Sequence, residues 1–246
     1  MAFRPVVLFL MFVTYASAQS TSSSISFRTG YAPASASGVG LFGVNTTGRS
    51  LFESTIGYSR RIHQWRRLDL SFYGEIIPLL FITDPAVRET ISETSMTATP
   101  QTTSTTSARR TLQPISAGSI TGTFTAPDGT NFKIDDSFKP FRTTSYGAGA
   151  RPIGLDAHVL PHRRIQPFIE GTLGFATFLR DEPVDKTSAF NFSCTFGAGV
   201  DLRRGETGSY TIGYRMTHFS NAKLAYNPGV NTNFVYVGYR FRRRQR

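Results

Sequence analysis

Cysteine is almost missing: a single Cys194 cannot close an internal disulfide, so no covalent framework stands in for a packed structure. Long hydrophobic runs are missing too. The apolar run Val6 to Val13 falls short of the roughly 18 residues that a membrane-crossing helix needs, and no later stretch reaches that length. A chain of this kind enters a bilayer only as a closed sheet, because hydrocarbon offers no partner to an unpaired backbone group. Acidic residues are in deficit, 16 against 27 Lys plus Arg, for a formal net charge of +11. The basic residues nevertheless form no stripe interleaved with aromatics, so nucleic acid is not an expected partner. There is no Gly-rich phosphate loop, and four His with one Cys show no metal-ligand spacing; neither a metal nor another cofactor is expected.

What is present begins with Arg4, the apolar run, and the small-x-small triplet Ala16-Ser17-Ala18 before Gln19. That is the layout of a cleavable secretory signal over residues 1–18. Residues 19–246 then form one domain. Twenty-two Gly, 13% aromatics and only 39% hydrophobic residues suit a barrel that shows lipid every second side chain. Eight segments alternate with period two or are rich in β-branched and aromatic residues: 23–31, 51–61, 67–81, 146–160, 166–179, 189–202, 209–220 and 232–242. Their connections alternate between short and long, which predicts an all-β, eight-stranded antiparallel up-and-down transmembrane barrel with short periplasmic turns. Arginine pairs (Arg60-Arg61, Arg66-Arg67, Arg163-Arg164, Arg203-Arg204) and the tail Arg242-Arg243-Arg244 recur at the short turns. They read as solvated turn charges or as contacts to anionic headgroups on one membrane face. The connection 83–145 contains a run dominated by Ser and Thr, Thr97 to Thr106, and is expected to be a flexible external loop; an extra hairpin from 119–125 and 130–134 is open.

Alternation also assigns faces. In the seventh segment Thr211, Gly213, Arg215 and Thr217 share one side, and Ile212, Tyr214, Met216, His218 and Ser220 the other. Arg215 is costly in hydrocarbon, so the second set faces lipid. The sixth segment puts Phe190, Phe192, Cys194 and Phe196 outward, the eighth Asn233, Val235 and Val237. Glu75, Asp69, Glu170, Asp201, Arg215 and Arg240 point inward and are expected to fill the lumen as one ion-pair network. His218 and Ser220 stand at the end of a lipid-facing row, two residues apart on one face. The spacing fits a base beside a nucleophile, and it equally fits two polar residues at the headgroup boundary.

The run Gly213-Tyr214-Arg215-Met216-Thr217-His218-Phe219-Ser220-Asn221-Ala222, followed by Asn227-Pro228-Gly229-Val230-Asn231, resembles the C-terminal signature of the lipid A 3-O-deacylase family, the PagL-like outer-membrane esterases. The stretch from Gln166 to Phe175 is similar to the family's fifth strand. The resemblance implies His218 as base and Ser220 as nucleophile on the outside of the barrel, with Asn221 and Asn227 as oxyanion or supporting residues. It also implies a Glu as third member, and this chain has Asn231 there, with no Asp or Glu after Glu206. An Asn orients a His through its side-chain carbonyl but stabilises the imidazolium less. Asn231 is accordingly either an orienter or an ordinary loop residue, and the chemistry either runs slower or borrows an acid from another strand.

The expectation is therefore an ester hydrolase of the bacterial outer membrane that removes an acyl chain from lipid A, with lipopolysaccharide and outer-membrane lipids as its partners. The alternative is a non-catalytic barrel with a structural or partner-binding role through the 83–145 connection. A homodimer is compatible with the sequence, which contains no feature that requires one.

Overall fold

The computed structural model describes residues 22–33, 35–37, 48–111, 113–182, 187–222, 224 and 229–242. The expected signal segment 1–18 and Asn227 lie outside the described residues. Among the described residues, eleven strands and no helix are found. They are β1 (Ser23–Ala32), β2 (Ser35–Ser37), β3 (Ser50–Gln64), β4 (Leu68–Ser95), β5 (Thr102–Arg110), β6 (Gly118–Thr125), β7 (Asn131–Val159), β8 (Ile165–Glu182), β9 (Ser188–Arg204), β10 (Gly208–Ser220) and β11 (Val230–Arg242).

Each consecutive pair of long strands is antiparallel, β1 also pairs with β11, and β4 with β7. The order β4-β3-β1-β11-β10-β9-β8-β7 thus returns to β4 and closes an eight-stranded up-and-down barrel. Closure leaves no barrel edge unpaired, which is what hydrocarbon demands. Burial alternates as the sequence requires: Ile25, Phe27 and Tyr31 are exposed, while Ser26, Arg28 and Gly30 between them are buried. The apolar rows belong to the outside and the charged rows to the inside, an inversion of a soluble barrel.

The expected single lumen network is corrected to three charged levels. In the middle level Arg28, Arg151 and Arg215 face Glu53, Glu75 and Glu170: Arg28 donates to Glu170 at 2.6 Å, and Arg151 to Glu53 at 2.8 Å. Arg215 pairs with Glu53 and, at 3.2 Å, with Glu75. Three guanidiniums against three carboxylates neutralise one another, and the hydroxyls of Tyr73 and Tyr236 donate to Glu75 (2.7 Å) and Glu170 (2.9 Å), which offsets part of the desolvation cost of burying them. Asp201 and Arg240 belong to a separate level near the short turns, with Asp156 and His158. Asp69 pairs with Arg61 at 2.9 Å. At the opposite end Arg49, Arg110 and Arg180 close on Asp84 and Glu182. Between that cap and the middle level lies an apolar layer that includes Leu51, Ile77, Leu80, Phe178, Phe219 and Phe234. The lumen is packed throughout most of its length, as expected for eight strands.

The 83–145 connection is not a flexible loop. β4 and β7 run 28 and 29 residues and continue to pair beyond the barrel rim to Ser95 and Phe132, with β5 added beside β4 and β6 beside β7. The open hairpin is resolved as β6–β7. Over Ala86 to Ser95 this sheet rises roughly 30 Å along the strand at ~3.3 Å per residue. Between β4 and β5 its exposed rungs are hydroxyl pairs, Thr90–Thr106 (3.1 Å), Ser92–Ser104 (2.8 Å) and Thr94–Thr102 (2.9 Å). The composition argument for disorder fails because strand pairing is inherited from the barrel strands below, so ordering these residues needs little burial of its own.

Candidate active site on the lipid-facing wall

β10 ends where the barrel meets its long connections. Along it Tyr210, Ile212 and Tyr214 are exposed, and Ser209, Thr211, Arg215 and Thr217 are buried. Met216, His218 and Ser220 continue the outward row, half-buried. Phe219 stands between the two polar residues with its side chain inward, 3% exposed, against Phe178 at 6.3 Å between ring centroids. That anchor fixes the register: with Phe219 in the apolar layer, His218 and Ser220 have to face out.

Cross-strand pairing supplies the neighbours. His218 lies opposite Asn231 of β11 on one side and Cys194 of β9 on the other, and Ser220 lies opposite Phe192. Directly opposed residues share a face, their Cβ atoms about 4.5–5.5 Å apart. Nδ1 of His218 is 2.7 Å from Oδ1 of Asn231. A carbonyl oxygen only accepts, so Nδ1 is the donor in this pair, and in the neutral ring the lone pair is then on Nε2. Asn231 is 6% exposed, so this bond is sheltered from water. Its backbone is in turn paired with Ala36 of β2, which adds a short strand beside β11 at this level.

The far side of the ring meets the next connection. Gly229 has φ of +60°, and a Cβ there would lie 3.1 Å from Cε1 of His218. A side chain at 229 would be strained by the backbone and would push on the imidazole. After Ser220 the chain turns sharply: Ala222 has φ of +53°, unusual for a residue other than Gly, and its N–H donates to Oγ of Ser220 at 3.3 Å. Asn221 is fully buried. The structure thus brings His218, Ser220 and Asn231 to one outer patch and sets Asn221 beside them in the chain.

The positioning contributions of Ala222 and Gly229 were not drawn from the sequence. Gly229 had a signal, since Pro228-Gly229 marks a turn; a left-handed Ala has none. Beside Ser220 the outer surface is aromatic. Phe190 stacks on Phe175 at 5.8 Å and meets Phe192 edge-on at 5.2 Å, and Phe192 and Phe196 are 47% and 59% exposed. Cys194, exposed as expected, completes this apolar flank. The arrangement is a hydroxyl and an oriented imidazole at the border of a greasy surface, suited to proton transfer from the hydroxyl and to attack on an acyl carbonyl.

A family model described as lipid A 3-O-deacylase (PagL) matches residues 118–240, half of the 246-residue chain. That stretch contains all five candidate residues. No curated protein matches significantly. Among solved structures, the outer membrane enzyme PagL is 15% identical, with a TM-score of 0.48 over 87% of this chain and 97% of that one. Neisserial surface protein A is 9% identical, with a TM-score of 0.41 over 91% of this chain and 97% of the other. The β domain of the Bordetella autotransporter BrkA is 12% identical, with a TM-score of 0.30 over 89% and 99%.

Proposed function

The chain belongs to the lipid A 3-O-deacylase (PagL) family, and from that premise we propose that it is an outer-membrane ester hydrolase in which Ser220 attacks the ester carbonyl of a lipid A acyl chain and His218 takes the serine proton. The single observation that carries this reading is the His218–Asn231 hydrogen bond at 2.7 Å on the outer wall. It favours the tautomer that leaves Nε2 unprotonated, the state a general base needs, and nothing about barrel stability calls for such a pair facing lipid.

The steps balance without a cofactor. Oγ of Ser220 adds to the carbonyl carbon while its proton passes to Nε2 of His218. The tetrahedral intermediate collapses, the sugar oxygen leaves with the proton from the imidazolium, and an acyl-serine remains. Water then attacks with His218 again as base, and the fatty acid departs. Amide donors of the Asn221–Ala222 turn and of Asn227 are the proposed stabilisers of the oxyanion, where a missing donor typically costs ~10²–10³ in rate. Asn231 holds the ring but offers no charge to the imidazolium, so the reaction runs more slowly than with a carboxylate there. The acyl chain rests on Phe175, Phe190, Phe192 and Phe196, which are beside the nucleophile and already in the bilayer.

A serine-directed organophosphorus ester tests the reading. The protein in uncharged detergent should be labelled at Ser220, and labelling should vanish in His218→Ala. Labelling elsewhere, or equal labelling of Ser220→Ala, rejects it. A second reading, partner binding through the sheet above the rim, is favoured by one observation, the order of β5 and β6 with both faces exposed. Loss of a binding phenotype with intact lipid A chemistry on removal of residues 90–137 is the outcome that supports it.

A further inference from the structure

The arginine pairs of the short turns take no part in acyl transfer. The turns between β3 and β4, β7 and β8, and β9 and β10 bring them to one end of the barrel, opposite the end that holds His218 and Ser220. There the lumen opens into a cavity of about 160 Å³, lined among others by Arg61, Arg203, Arg240, Arg242, His158 and His162. Carboxylates meet part of this charge. Arg61 pairs with Asp69 at 2.9 Å, Arg240 with Asp156 at 2.9 Å and Asp201 at 3.2 Å, and Arg242 with Asp201 at 3.4 Å. His158 also contacts Asp201, at 3.2 Å, and His162 contacts Gln64 at 3.5 Å.

Two features are left over. Arg240 is only 3% exposed, yet its Nη2 has no hydrogen-bond partner among the described residues, and the side chain lines the cavity. Arg203 brings a fourth guanidinium to the lining, for which the described residues supply no carboxylate. A buried guanidinium with an unused donor is costly unless something accepts from it. The lining offers planar N–H forks, two imidazoles, the serine hydroxyls of Ser22, Ser23, Ser24, Ser59 and Ser71, little apolar surface, and one carboxylate, Asp69, which Arg61 already neutralises.

We propose that this cavity binds a phosphate-type oxyanion, inorganic phosphate or a phosphomonoester, which enters from the aqueous side and accepts hydrogen bonds from Arg203 and Arg240. Arginine forks match tetrahedral oxyanions bidentately. The remaining turn arginines surround the opening and raise the local concentration of anions. A lipid headgroup is the other source of the same chemistry, but the cavity lies inside the strand ring, whereas headgroups line its outside. This site is independent of the acyl-transfer reading.

Calorimetric titration of the full barrel in uncharged detergent with inorganic phosphate, at ionic strength held constant with chloride, tests the proposal. Saturable one-to-one binding is expected. Arg203→Gln should weaken it roughly tenfold, the effect of losing one charge-assisted contact, and Arg203→Lys, which keeps the charge without the fork, should weaken it less. Both variants should keep native circular dichroism and acyl release within twofold of the parent. Heat that does not saturate, or affinity unchanged in both variants, overturns the site. Binding that appears only in nanodiscs containing an anionic phospholipid, and not with phosphate, also overturns it and assigns the arginines to headgroups.

Discussion

Polar side chains occupy two very different places in this barrel. Inside, Arg28, Arg151 and Arg215 meet Glu53, Glu75 and Glu170 one for one, in the interior and away from the bilayer. Outside, His218, Ser220 and Asn231 stand on a wall made mostly of apolar and aromatic side chains, where Asn231 bonds the His218 ring. The inner set is explained by packing: a narrow lumen has to be filled, and opposite charges fill it at least cost. The outer set gains nothing from packing, since apolar residues there would be better solvated by lipid. A perturbed, crowded cluster of acids is thus weak evidence of chemistry in this fold. A sparse polar cluster on the wrong side of the wall is strong evidence.

Substitutions on the two sides should separate cleanly. The largest effect belongs to His218→Ala, which should lower kcat for ester hydrolysis by on the order of 10⁴-fold or more while leaving the urea midpoint of the folded barrel nearly unchanged. Glu53→Leu should do the reverse. It strands Arg151 and Arg215 without part of their countercharge and should cost about 3–5 kcal/mol in equilibrium unfolding from detergent, with kcat of the folded fraction retained. Equal loss of activity in both variants would erase the distinction between the two walls.

Asn231 sharpens the comparison, because it is the outer residue that stands where the resemblance implies a Glu. Asn231→Ala should reduce kcat by roughly 10- to 100-fold with KM little changed, since it frees the ring to adopt the wrong tautomer. Asn231→Asp should raise kcat by about tenfold through charge stabilisation of the imidazolium. A decrease in that variant would mean that the carboxylate is too costly to place at this wall. The smallest effect is expected above the rim. Thr106→Val removes one hydroxyl rung and should change stability by less than ~1 kcal/mol and kcat not at all.

The barrel was legible in the sequence because alternation is a direct physical signal. Each of the eight expected segments matches a ring strand, and the outward row of β10 follows from one residue, Arg215, that hydrocarbon would reject. The inner partners Arg28 and Glu53 carried the same signal, since they alternate with Phe27 and Phe52 on their strands. The strands above the rim were not legible. Thr102 to Ser107 bury nothing, and their order comes from a neighbouring strand, which no local pattern reports. The choice for Asn231 between orienter of His218 and loop residue stayed open for a related reason: it depends on the register between β10 and β11, not on either strand alone.

The central claim, that the outer polar patch is the catalytic one, is tested most directly by mass spectrometry of lipid A from cells that make the parent protein or Ser220→Ala at equal membrane levels. The account predicts lipid A lacking one ester-linked acyl chain with the parent and fully acylated lipid A with the variant. Unchanged lipid A with the well-inserted parent, or the same deacylation by Ser220→Ala, would contradict it.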